Sequence, residues 1–163
     1  MSRLRPLADP DSLLVRVMSG PSGLFANGYD ESWNTIEMRA VEMPSSNGVG
    51  DARSLARLYA SCLTEVDGIR VLSDETVDAA TVLRSSGPDL VTGQDLCFGL
   101  GFMAGPTAFG LGRPRAFGHQ GAGGSGAMAD RDAGLSIAYV MNQLRFDLDP
   151  RAWSLATAAL RCC

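Results

Sequence analysis

The sequence predicts an α+β fold: helices first, then antiparallel strands, then a closing helix. Three observations carry this. Residues 51–84 repeat apolar side chains at helical spacing, residues 95–145 change to short apolar runs punctuated by glycine, and Asp149-Pro150 opens a last helical segment at 149–163. Residues 1–50 are rich in Gly, Pro, Ser and Asn and are expected to be mostly irregular, with one helical turn at 11–18. Asp51 is a cap residue, and Leu55, Leu58, Tyr59, Cys62 and Val66 follow it at the spacing of one helix face. Asp67-Gly68 closes that helix. A second starts at Ser73, where Leu72 before the cap and Val77 after it are placed as a hydrophobic staple, and it ends near Arg84. "LCFGLGFMAG" (96–105) reads as one strand with glycines at close-approach positions, and "RAFGHQG" (115–121) as another. "GSGAMA" and "GLSIAYVMN" flank the turn-rich "DRDAG", which predicts a hairpin. In the last helix Asp149 caps, Pro150 takes the first position, and Trp153, Ala156, Ala159 and Leu160 form the apolar face.

Composition narrows the function. With 163 residues, 45% of them apolar and 20% charged, the chain has the make-up of a folded domain, and no repeat or low-complexity linker divides it. The net charge of -4 argues against nucleic-acid binding through bulk positive charge. No stretch reaches the ~18 apolar residues of a membrane span. "MSRLRPLADPDSLLVRVMSG" has no uninterrupted apolar core of a signal peptide, so a reducing cytoplasm is expected. Cys62, Cys97, Cys162 and Cys163 form no Cys-x-x-Cys pair and the chain has one histidine; free thiols are expected, and no metal or cofactor. All 14 basic residues are arginine, and lysine is absent.

The one histidine, His119, stands at the head of a glycine-rich run, "GHQGAGGSGAMA". Gly121, Gly123 and Gly126 match G-x-G-x-x-G, but a dinucleotide site needs a helix to open there, and a strand and turn follow instead. A Walker-type phosphate loop requires a lysine. "GGSGA" approaches a G-x-S-x-G nucleophile elbow, yet that fold places its histidine after the serine, and here it comes before. On residue types alone, a glycine-rich strand edge with a surface histidine remains an equal reading.

"FGHQGAGGSGAMADRDAGLSIAYVMN" resembles the C-terminal signature of β-lactamase-related serine hydrolases, the branch of class C β-lactamases, esterases and D-alanyl-D-alanine carboxypeptidases. "EMPSSNGVGDARSLARLYASCL" and "LSDETVDAA" resemble upstream segments of the same family, in the family's order, so the resemblance runs over about 19–160. It implies acyl transfer through a serine activated by lysine in Ser-x-x-Lys, a Tyr-x-Asn or Tyr-x-Ser base, and a third box on a strand beside the nucleophile. His119-Gln120-Gly121 would be that third box. By the same mapping Gly121 lets the substrate approach, the Ala122 N–H is an oxyanion donor, and Gln120 and Gly123 border the substrate. Histidine replaces the usual lysine; a largely neutral imidazole anchors a carboxylate poorly, which shifts the expected substrate to uncharged esters or amides.

The other boxes are missing. Without lysine, Ser-x-x-Lys does not occur, and Tyr59-Ala60-Ser61, the one Tyr-x-Ser, sits inside an amphipathic helix as a core contact. The resemblance therefore implies a partial domain, the C-terminal part of a hydrolase and inactive alone. It should keep about three strands, the last helix and part of the helical region, and lack two N-terminal strands and the nucleophile helix. An exposed sheet edge would then favour association. Half of a split enzyme and a non-catalytic domain reusing the fold are the alternatives.

Overall fold

The computed structural model describes residues 11–19, 31–145 and 149–163. They fall into two compact units, one of the described residues up to Gly50 with 90–93 and one of the described residues from Asp51 on without 90–93. In the first, α1 (Leu13–Met18) is capped by the Ser12 hydroxyl, which accepts from the Val15 N–H at 3.3 Å. A 3-10 turn (Glu31–Asn34) and α2 (Ile36–Ala40) follow. These two were not expected in a segment without periodicity. Caps explain α2: Thr35 Oγ1 accepts the Met38 N–H, and the Asn47 side chain donates to the carbonyls of Met38 and Val41 at 2.8 and 2.7 Å. The expectation for 1–10 and 20–30 lies outside the described residues.

The second unit is a six-stranded antiparallel sheet in simple sequential order with helices on both faces. In α3 (Ala52–Leu63) the Asp51 carboxylate accepts the Ser54 N–H at 2.8 Å. The helix ends before Val66, because Asp67 and Gly68, with φ of 50° and 76°, form the tight turn that pairs Val66 with Ile69. Tyr59 and Cys62 face the core as expected, whereas Leu58 is half-exposed. Ser73 caps α4 (Asp74–Thr81), and Val77, 1% exposed, packs in one cluster with Leu72 as the staple requires.

The strands are β1 (Ser85–Pro88), β2 (Asp95–Phe98), β3 (Met103–Ala104), β4 (Ala116–Gln120), β5 (Gly126–Asp130) and β6 (Leu135–Tyr139). The class is the one predicted, but six strands stand where about three were expected. β1 follows the expected helix end near Arg84, where no element was expected. The single strand expected at 96–105 is two, bent at Gly99: a side-chain carbon there would lie 2.0 Å from the Ala80 carbonyl oxygen, so the helix end presses on the bend. The hairpin at "DRDAG" forms as predicted.

Residues alternate between the two faces of each strand. Phe117 and Ala129 meet Cys62 and Val77 on the α3 and α4 side; Ala116 and Met128 meet Ala152 and Ala156 of α5 (Arg151–Leu160) on the other. The buried face of α5 is thus turned from the one expected. Ala152 and Ala156 lie against the sheet, and Trp153 is 46% exposed, its indole N–H donating to the Gly110 carbonyl at 3.4 Å. All four cysteines are free, Cys62 and Cys97 in the core and Cys162 and Cys163 exposed.

The β5–β6 turn is tied by Asp130, whose side chain is fully buried. Its carboxylate accepts from Arg113 Nε, from the Asp132 N–H at 2.8 Å and from the Ala133 N–H at 3.2 Å. Burial pushes its pKa up, but these hydrogen bonds outweigh burial and hold it below the usual carboxylate range. A depressed folded-state pKa contributes stability that is present above the unfolded value of ~3.9 and lost as pH falls through the folded value. Asp130→Ala should therefore cost about 2–3 kcal/mol at neutral pH, since two N–H groups lose their acceptor. Urea midpoints of the two proteins should converge as pH drops below ~4; a constant gap would mean the loss is one of packing rather than charge.

Candidate functional site

His119 and Gln120 are the last two residues of β4, and both are exposed. Their position follows from a mismatch in strand length. β5 pairs with the whole of β4, His119 opposite Ala127 and Gln120 opposite Gly126, whereas β3 is two residues long and pairs only with Phe117 and Gly118. Among the described residues the end of β4 thus has one strand neighbour and one open side. The Gly121 N–H donates to the Ser125 carbonyl at 2.8 Å, and antiparallel pairs alternate between bonded and non-bonded. His119 therefore bonds towards β5, and the N–H and C=O of Gln120 point to the open side. The His119 ring lies beside Phe98, ring centroids 6.3 Å apart and planes inclined by 37°.

The glycine run makes the β4–β5 connection. Gly124 N–H donates to the Gly121 carbonyl at 3.2 Å, closing a four-residue turn with Ala122 and Gly123 at its centre. Gly123 has φ +87°, the value a type II turn demands of its third residue. A strand position for His119 leaves Gly123 and Gly124 either to continue the strand or to bulge from it; the turn replaces both options, because two successive positive φ values cannot extend a strand. Ala122 is exposed in the second position, and among the described residues its N–H has no hydrogen-bond partner. Gly121 is exposed; a side-chain carbon on it would sit 2.5 Å from the Ser125 hydroxyl.

Beneath the turn lies a support that the sequence did not reveal. Gly123 is buried, and a methyl group there would fall 2.2 Å from Leu144 Cδ2; at Gly124 it would fall 2.2 Å from Asp149 Oδ2. The Arg145 N–H donates to the Gly123 carbonyl at 3.1 Å. Asp149 was read as a helix cap. α5 begins one residue later than that reading, with Pro150 at the cap position, and the Asp149 carboxylate accepts the Arg151 N–H at 3.1 Å. It also takes the Arg151 guanidinium as a two-pronged ion pair, Nε to Oδ1 at 2.8 Å and Nη2 to Oδ2 at 2.5 Å. Arg151 holds the Asp149 carboxyl down at about 2, well below the usual range.

Tyr59 lies elsewhere. Its ring packs against Phe102 and Phe117 at 6.3 and 6.2 Å, and burial pushes its hydroxyl up from the ordinary value, the wrong direction for a phenolate base. His119, Gln120, Gly121 and Ala122 thus share one exposed strand end, with Gly123 buried under it. Chemically, that end offers an imidazole, an open strand edge and a free main-chain donor. No lysine exists in the chain to activate a hydroxyl beside them.

Known proteins share this arrangement of elements. The β-lactamase family model matches residues 7–160. The esterase/β-lactamase LipL of Mycobacterium tuberculosis is 38% identical over 107 residues, which is 64% of this chain and 24% of LipL. Among solved structures, EstA from Arthrobacter nitroguajacolicus superposes with a TM-score of 0.79 at 30% identity, over 98% of this chain and 43% of EstA. A family VIII carboxylesterase gives 0.73 at 31% identity, over 91% of this chain and 40% of its own. A penicillin-binding protein homologue from Caulobacter crescentus gives 0.72 at 34%, over 96% and 44%. The chain spans about a quarter of the curated relative and about two-fifths of each solved one. By the extent of the family match and these likenesses, the chain belongs to the β-lactamase-related serine hydrolases.

Proposed function

We propose that these 163 residues are the C-terminal portion of a β-lactamase-related serine hydrolase that cleaves uncharged esters or amides through an acyl-serine intermediate, a partial domain inactive alone. The observation that carries the reading is the exposed end of β4: an open strand edge at Gln120 followed by an unpartnered N–H on Ala122. A substrate strand laid along that edge would find main-chain partners there, and the oxygen of a tetrahedral intermediate would find the Ala122 donor. His119, beside Phe98, would form a partly aromatic wall. The absence of lysine supports the need for a separate nucleophile segment.

The fold suggests how that segment would attach. Among the described residues β6 pairs only with β5, so its outer edge presents N–H and C=O groups that another strand would satisfy. No described helix is long and apolar enough to cross a membrane, and the four free cysteines suit the reducing cytoplasm this reading assumes.

The purified chain should hydrolyse neither p-nitrophenyl esters nor cephalosporins. Co-expression with an N-terminal segment of a related hydrolase that carries Ser-x-x-Lys should restore ester hydrolysis, and His119→Ala should weaken it. Turnover by the isolated chain that vanishes on changing Ser125 or Ser46 would overturn the proposal.

A further inference from the structure

We propose that the Asp149–Arg151 ion pair is a positioning device, which seats the 121–125 turn and so fixes the direction of the Ala122 N–H; this rests on the reading of Ala122 as the oxyanion donor. Asp149 does more than a helix cap requires. One carboxylate oxygen suffices to accept the Arg151 N–H at 3.1 Å. Yet the side chain is 3% exposed, and its Oδ2 lies directly under Gly124, closer than any side-chain-bearing residue would permit.

Arg151 in turn is held from two further sides. Its Nη2 donates to the Gln143 carbonyl at 2.9 Å, and its guanidinium carbon stands 5.7 Å from the centre of the Tyr139 ring. Tyr139 is the last residue of β6, and Gly126, its register partner, is the first of β5. The pair therefore links the end of the sheet to the turn above it. The Arg145 N–H on the Gly123 carbonyl and Leu144 under Gly123 complete the seat. The turn is thus held through Gly123 and Gly124, while Ala122 is exposed and its N–H has no partner among the described residues. An oxyanion donor works by being aimed before charge develops, so a loose turn would lose rate even with the donor present.

A cap and a seat are separated by Asp149→Ser. Serine is a good cap, but it cannot reach Gly124 or hold a guanidinium with two oxygens. In the 15N-labelled chain, the hydrogen-bonded amides of Gly121 and Gly124 should exchange at least tenfold faster in Asp149→Ser. Those of α5 and of Asp132 and Ala133 in the β5–β6 turn should be unchanged. Arg151→Met, which leaves the carboxylate cap in place, should loosen the same two amides and serves if the first variant does not fold; Arg151→Lys should recover part of the protection. In the reconstituted enzyme each loosening variant should lower kcat about tenfold and leave KM within twofold.

Unchanged exchange at Gly121 and Gly124 in both variants overturns the seat. Faster exchange with unchanged kcat overturns its part in catalysis. A native reconstitution that forms and stays inactive overturns the donor reading itself, and with it the catalytic half of this proposal; the exchange data then still decide the seat.

Discussion

Ala122→Pro is expected to leave the chain folded and to remove ~100-fold or more of the ester hydrolysis of the reconstituted enzyme, the usual scale for losing one oxyanion donor. Both halves of this expectation come from the turn. Ala122 holds its second position, where proline is favoured because its ring fixes the φ that position needs. Its N–H makes no bond within the described residues, so proline deletes no internal contact. The substitution therefore takes away a hydrogen and little else. Urea midpoints should agree between Ala122→Pro and the native chain, kcat should fall, and KM should hold. If the chains associate and the serine still labels but the rate survives, the donor is not Ala122, even though the family is right.

Phe117→Ala should be the most destabilising change in the core, by about 3–5 kcal/mol, the range for removing a buried aromatic side chain. Phe117 is fully buried in the middle of β4, edge-on to Phe102 at 5.0 Å and tilted against Tyr59 at 6.2 Å. Its neighbours in the cluster are Ala104, Ala129, Val77 and Cys62, three of them small and unable to close the gap. In urea the midpoint should fall far below that of Leu100→Ala, a change at a residue 58% exposed. The effect bears on the site as well, because Phe117 lies two residues before His119 on the same face of the same strand. A loss under about 1 kcal/mol would show that the α3 side of the sheet is not the packed core described here.

Local chemistry was legible in the sequence and distant packing was not. Asp51 and Ser73 announce α3 and α4 because a cap is a bond between a side chain and a backbone N–H three residues away. The β5–β6 hairpin was legible for the same reason: Asp130 and Gly134 shape its turn from within. β1 was missed because "SSGP" has turn composition, and its extended form comes from pairing with β2, ten residues on. The break at Gly99 was missed because its cause is the Ala80 carbonyl on another element. In the site, the exposed strand position of His119 and Gln120 was legible from the "HQG" resemblance. Phe98 beside His119, and Asp149 and Arg151 under the turn, carried no signal. Asp149 looked like the cap residue, but Pro150 takes that position; its carboxylate accepts the Arg151 N–H, and only the fold brings Gly124 onto its second oxygen.

On the proposed function this chain supplies a substrate wall, and the nucleophile comes from a separate segment. Treatment with a fluorophosphonate, followed by mapping of the adduct by mass spectrometry, tests it most directly, first on the chain alone and then on the chain assembled with a Ser-x-x-Lys segment. The chain alone should carry no adduct, and the assembly should carry one, on the serine of the added segment. An adduct on a serine of this chain, above all on Ser125, whose hydroxyl lies against Gly121, would contradict it.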